Sequence, residues 1–149
     1  MMKQPKSRPL PRPTPLSQPY WDAAGQGHLA IQRCQTCKTY YHPPVAQCTN
    51  CIRHGGSTLS FERVSGRGKV YSYTVIRDTR IKGFEDVLPY TVVLIELDEA
   101  PGLIHYGNMA ETDAKDIQIG APVEVMFMAI GDGIQLPDFC LAVSVAGRR

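Results

Sequence analysis

The stretch that most constrains this chain is RCQTCKTYYHPPVAQCTNC, residues 33–51, where two Cys-x-x-Cys pairs stand ten residues apart. A divalent ion is held when four sulfurs reach tetrahedral positions, and each Cys-x-x-Cys forms a tight knuckle that offers two of them. Cys34 with Cys37 and Cys48 with Cys51 therefore predict one metal site. The intervening residues let the chain run out and back as a hairpin, with His42, Pro43 and Pro44 helping it turn. Zinc is the expected ion, and its expected role is structural. A catalytic zinc keeps a position open for water, whereas four cysteines fill the shell. His28, His42 and His54 lie close by in sequence and are read as surface residues, because the thiolates already suffice.

Two other uses of the sulfurs fit less well. A single electron-carrying iron, as in rubredoxin, takes the same ligands, but those proteins usually place Gly directly after each pair. Lys38 and Ile52 stand there instead. Thiol–disulfide exchange needs one pair rather than two, and a depressed thiol pKa. The fifth cysteine, Cys140, lies alone in an apolar segment and reads as a small buried hydrophobe.

Charge separates the chain into parts. The net charge of +2 is misleading, because Lys3, Lys6, Arg8 and Arg12 all fall in an arm without acidic residues. Without those four the remainder stands at −2, a poor footprint for a phosphate backbone. Residues 1–17 hold five prolines and little to bury, so they read as a flexible basic arm, partly polyproline II. The start, MMKQPKSRPLPRP, lacks the apolar stretch of a secretion signal, and no apolar run reaches membrane-span length. The expected location is the cytoplasm.

Residues 18–27 predict a short helix, with Ser17 as cap, Pro19 in the first turn, and Gly25 and Gly27 as stops. Tyr20 and Trp21 fall on its apolar side, and so short a helix holds only by packing on the domain or a partner. A zinc ribbon is expected over 28–57. From residue 58 to the end the period is two: LSFERV, KVYSYTVIR, YTVVLIEL, LIHYGNM, PVEVMFMA and FCLAVSV are strand-length and bounded by Gly, Pro or Asp. Five or six such strands without a long helix predict a small β-barrel of the OB type. Along PVEVMFMA, Val123, Val125 and Phe127 point inward, which leaves Met126 and Met128 outside as candidate partner contacts beside Tyr20 and Trp21.

With PYWDAA, QRC, the paired cysteines, a G-x-G-x-V-x-S-x-T pattern from Gly66 to Thr74, and PY…ELDE from Pro89 to Glu99, the chain resembles the DUF35 family over roughly residues 18–145. That resemblance implies a rubredoxin-like zinc ribbon followed by an OB-fold barrel. It also implies a helper subunit bound to thiolase-like or ketosynthase-like catalytic proteins, which carry the reactive groups themselves. In such assemblies the zinc-ribbon/OB chain bridges or caps the complex and contributes to CoA binding. The residues agree in one respect: no Ser-His-Asp or Cys-His arrangement emerges. Within the long connection 76–90, Arg77, Arg80 and Lys82 are candidates for CoA phosphates and Phe84 for adenine. The rival reading is a single-stranded nucleic-acid module using Tyr71 and Tyr73, against which Glu96, Asp98, Glu99, Glu111, Asp113 and Asp116 weigh.

Overall fold

A computed structural model describes residues 8–55, 58–78 and 80–142. Lys3 and Lys6 of the basic arm and the 143–145 end of the FCLAVSV segment lie outside the described residues. Among the described residues, besides two single-turn 3-10 helices, one α-helix and eight strands follow in order: α1 (Gln18–Gly25), β1 (Ala30–Cys34), β2 (Tyr40–Tyr41), β3 (Leu59–Arg63), β4 (Arg67–Ile76), β5 (Tyr90–Leu97), β6 (Ile104–Asn108), β7 (Pro122–Gly131) and β8 (Ile134–Leu141). The strands make two sheets, β2-β1-β3 and β6-β5-β4-β7-β8. The molecule is mainly β, as expected. Among the described residues no helix is long and apolar enough to cross a membrane.

Pro19 stands in the first turn of α1, where its missing N–H costs nothing. Ser17 occupies the cap position without capping. Its backbone is already helical, and its hydroxyl turns back to accept the Thr14 N–H at 3.0 Å. The helix ends at Gly25, and Gly27 takes φ +79 to turn the chain into β1. Tyr20, Ala23 and Ala24 form its buried side.

LSFERV differs from the expectation that placed it with the barrel strands. It is β3, paired antiparallel with β1 from Ala30↔Arg63 to Cys34↔Leu59. β1 is paired along both edges, by β2 and β3, and its side chains are buried on both faces, so alternation disappears: Ile31 joins the core, Gln32 on the opposite face bonds the Val45 backbone, and Leu29 and Ala30 are buried as well.

The second sheet is the barrel. β4 and β5 pair along their length with a bulge at Tyr71, which lies between the paired residues Val70 and Ser72. β7 and β8 form a hairpin through Asp132 and Gly133, both at positive φ. A parallel bridge between Met109 and Phe139, reinforced by the Ala110 N–H donating to the Phe139 carbonyl at 2.7 Å, brings β6 onto β8. Five strands closed in this order form an OB-type barrel. β8 begins at Ile134, five residues before the FCLAVSV segment. Pro137 disguised it, since a proline argues against a central strand but is tolerated on the terminal strand of a sheet, where β8 lies.

The two glycines of the G-x-G pattern are there for space. Gly66 sits at φ +72, and a Cβ on it would collide with the Val125 side chain. A Cβ on Gly68 would collide with the Glu96 carbonyl. A single core joins the sheets: Tyr20, Leu29 and Ile31 belong to the same buried cluster as Val70, Val93, Ile95 and Phe139.

Candidate metal centre

The knuckles are shaped by backbone hydrogen bonds. The Lys38 N–H donates to the Cys34 carbonyl at 2.9 Å, with Lys38 itself at φ +64, and the Ile52 N–H donates to the Cys48 carbonyl at 3.1 Å. The two turns bring all four sulfurs within 4.8 Å of one another. Cys34 and Cys51 are 3.9 Å apart, Cys37 and Cys48 3.5 Å. A tetrahedral ion with metal–sulfur bonds of about 2.3 Å requires sulfur–sulfur edges of about 3.8 Å. The donor set therefore fits one zinc ion.

Second contacts tune the sulfurs. The Cys37 N–H points at the Cys34 sulfur from 3.5 Å and lowers that thiol's pKa. The Thr39 hydroxyl, 3.2 Å from Cys37, lowers the next, and the Tyr41 hydroxyl, 3.1 Å from Cys48, lowers a third. Cys51 goes the other way: burial pushes it up to about 12. Three thiols thus favour the ligating thiolate, and a bound zinc ion would supply the positive charge that favours the thiolate of Cys51. Cys34, Cys48 and Cys51 are buried, whereas Cys37 is on the rim. With four sulfurs around one ion there is no open position for substrate.

No histidine joins the ligands. His54 is exposed and His28 half-buried. His42 is not the surface residue expected. It stacks on His105 of β6 with ring centroids 4.3 Å apart, and burial depresses its pKa to about 4. His105 in turn shares a hydrogen bond between its Nε2 and the Tyr20 hydroxyl, 2.9 Å apart, and is pushed down to about 3, mainly by burial and then by His42. Tyr20, itself raised by burial, is thereby turned inward, and Trp21 meets it edge-on at 5.1 Å. Helix, ribbon and barrel are thus locked by three rings. Sequence reading missed His105, although its parity with Leu103 in LIHYGNM marks an inward position. Asp138, 3 % exposed, was also missed, and no local pattern signals it.

The remaining candidates are dispersed. Met126 and Met128 are half-buried on β7, in register with Asp138 and Leu136, while Val125 and Phe127 pack on the core. Arg77, Arg80 and Lys82 are exposed on the connection after β4. Phe84 is half-buried: the Arg8 guanidinium lies 5.1 Å over its ring, and Tyr90 tilts against it at 5.7 Å. Arg8 also donates from Nε to the Gly83 carbonyl at 3.1 Å, so this part of the basic arm rests on that connection. Tyr71 and Tyr73 are exposed on β4, with Lys69 facing Glu96 across the strand pair. Cys140 is half-buried.

A saturated four-thiolate ribbon and an OB barrel sharing one core define a zinc-ribbon/OB protein whose metal is structural. Known proteins agree. Residues 21–55 match the rubredoxin-like zinc ribbon domain of ChsH2, and residues 61–128 match its C-terminal OB-fold domain. The chain is 36% identical over 124 residues to a probable enoyl-CoA hydratase alpha subunit of Thermomonospora curvata, covering 83% of this chain and 37% of that protein. It is 31% identical over 103 residues to a DUF35 domain-containing scaffold protein of Methanothermobacter thermautotrophicus, covering 69% of this chain and 74% of the other. Among solved structures, a chain of the Ltp2-ChsH2(DUF35) aldolase superposes with a TM-score of 0.78 at 35% identity, over 90% of this chain and all of that one. The chain belongs to the DUF35 family.

Proposed function

We propose that this protein is a non-catalytic subunit that bridges or stabilises the catalytic subunits of a thiolase-like or ketosynthase-like acyl-CoA enzyme in the cytoplasm. The observation that carries this is the likeness to the DUF35 chain of the Ltp2-ChsH2(DUF35) aldolase, which spans the whole of that chain. The metal site supports it, since four sulfurs leave the ion nothing to do but hold the ribbon. The name of the hydratase relative is consistent with acyl-CoA chemistry nearby, although the chain spans only 37% of that relative's length. CoA contact falls to Arg77, Arg80, Lys82 and the accessible part of Phe84, and partner contact to Trp21, Met126 and Met128, with Tyr20 holding Trp21 in place.

Co-expression with a thiolase-like or ketosynthase-like protein from the same genome tests the reading. The two should co-elute from gel filtration, and thioester turnover should require both. Turnover by the zinc-loaded chain alone would overturn the proposal. Salt-sensitive retention of single-stranded DNA would favour the nucleic-acid alternative.

A further inference from the structure

Between α1, the Pro43–Pro44 turn of the ribbon and strands β6 and β8 lies a cleft of about 320 Å³. Its volume is at the low end of the roughly 300–1,000 Å³ usual for small-molecule sites, so it suits one long side chain rather than a cofactor. The walls are mostly apolar and aromatic, with Trp21, Pro44, Tyr106 and Leu136 among them. Tyr106 is 55% exposed, an open wall rather than a core residue.

One anionic side chain, Asp138, lines this cleft while being 3 % exposed. Its Oδ1 accepts both the N–H and the Nδ2 of Asn108, each at 3.1 Å. No hydrogen bond from the described residues reaches Oδ2, and no described cation lies within ion-pair distance. A carboxylate taken out of water without a counter-charge is costly. The groups that face it do not supply one. His42 and His105 are held neutral by burial, Tyr20 and Tyr106 add only phenols, and Arg8, whose field reaches Asp138, is engaged with Phe84 and Gly83.

A largely buried carboxylate lining a cleft with aromatic walls is complementary to a guanidinium, which stacks on ring faces and bonds a carboxylate through its fork. We infer that this cleft receives an arginine side chain from a partner subunit, with Asp138 as its counter-ion and Trp21 and Tyr106 as its walls. This inference rests on the scaffold reading, but its test does not need the partner.

Trp21 is the only tryptophan, so its emission reports the cleft directly. The zinc-loaded full chain is titrated with n-butylguanidinium at constant ionic strength, and in parallel with n-butanol and butyrate. A saturable change with the guanidinium alone is expected, weakened at least tenfold in Asp138→Asn and several-fold in Tyr106→Ala. Tyr106→Ala carries the test if Asp138→Asn does not fold, because that side chain is exposed. An equal response to butanol, no saturation, or undiminished affinity in a folded variant overturns the inference. Co-elution with the catalytic partner is measured separately, so a failed titration leaves the scaffold reading standing.

Discussion

The imidazoles of His42 and His105 lie face to face, 4.3 Å apart and 10° from parallel, one carried by the ribbon and the other by barrel strand β6. Their stack requires both rings to be neutral, because a charge on either is poorly solvated and repels a charge on the other. Burial holds them at about 4 and about 3 in the folded protein. Unfolding returns both to about 6.5, so below that pH the unfolded chain takes up protons that the folded chain refuses. Stability should fall as pH drops from about 6.5 towards about 3 and stay level above it. The loss should be about 1.5 kcal/mol per ring between pH 6.5 and 5. Urea unfolding across that range measures it, and His42→Phe, which keeps a ring in the stack, should show a shallower slope. Equal slopes would remove the stack as the cause.

Metal removal should be felt beyond the ribbon. Leu29 and Ile31, from the segment that leads into Cys34, share a core with Val93 and Phe139 of the barrel. Zinc supplies on the order of 10 kcal/mol to small ribbon folds. Chelation should therefore lower the melting temperature of the whole molecule in one transition, and intact protein should hold one zinc per chain by elemental analysis. Cys48→Ser, at a fully buried ligand, should reproduce the chelated state. A barrel transition that stays where it was would show that the core is not shared energetically.

Gly68 is a packing requirement that sequence pattern alone only hinted at. A Cβ there meets the Glu96 carbonyl and comes within 2.7 Å of Ile95 Cγ2, at the end of the β4–β5 ladder where β4 is also held on its other edge by the Gly68–Val123 pair with β7, so the backbone has little room to retreat. Gly68→Ala should destabilise by about 2–3 kcal/mol. Gly25→Ala is the natural contrast, since nothing lies within 4 Å of its Cβ and its φ is ordinary. It should be neutral or stabilise by about 0.5 kcal/mol. Denaturant midpoints of the two variants decide the matter, and a tolerated Gly68→Ala would contradict the register of β4 against β5.

The ease of reading differed between ribbon and barrel for physical reasons. Cys34, Cys37, Cys48 and Cys51 were legible because the geometry of an ion is written in local spacing. β4, β5 and β7 were legible because one face is wet and the period survives. β1 lost its period by being covered on both faces, and β3 found its partner 29 residues back, which no window of local sequence contains. The Tyr20–His105 hydrogen bond spans 85 residues, so the lock between helix, ribbon and barrel exists only in three dimensions. Asp138 carries no local signal beside Pro137, and only the closure of β8 onto β6 makes it a buried acid.

The connection after β4 gives the sharpest test of acyl-CoA contact. Arg80 and Lys82 are exposed there, and Phe84 has one flank covered by Arg8. Exposed charges with no ion pair among the described residues add little to folding, so their removal is expected to leave stability within about 0.5 kcal/mol. If phosphates of CoA lie against them, the double variant Arg80→Ala, Lys82→Ala should raise the acyl-CoA KM of the assembled complex several-fold with kcat nearly unchanged, the pattern of lost uniform binding. The effect should shrink at high salt, because exposed charge pairs are screened. A shared fall in kcat and stability would instead mean that the connection shapes the complex, and unchanged kinetics would take these two residues out of CoA recognition.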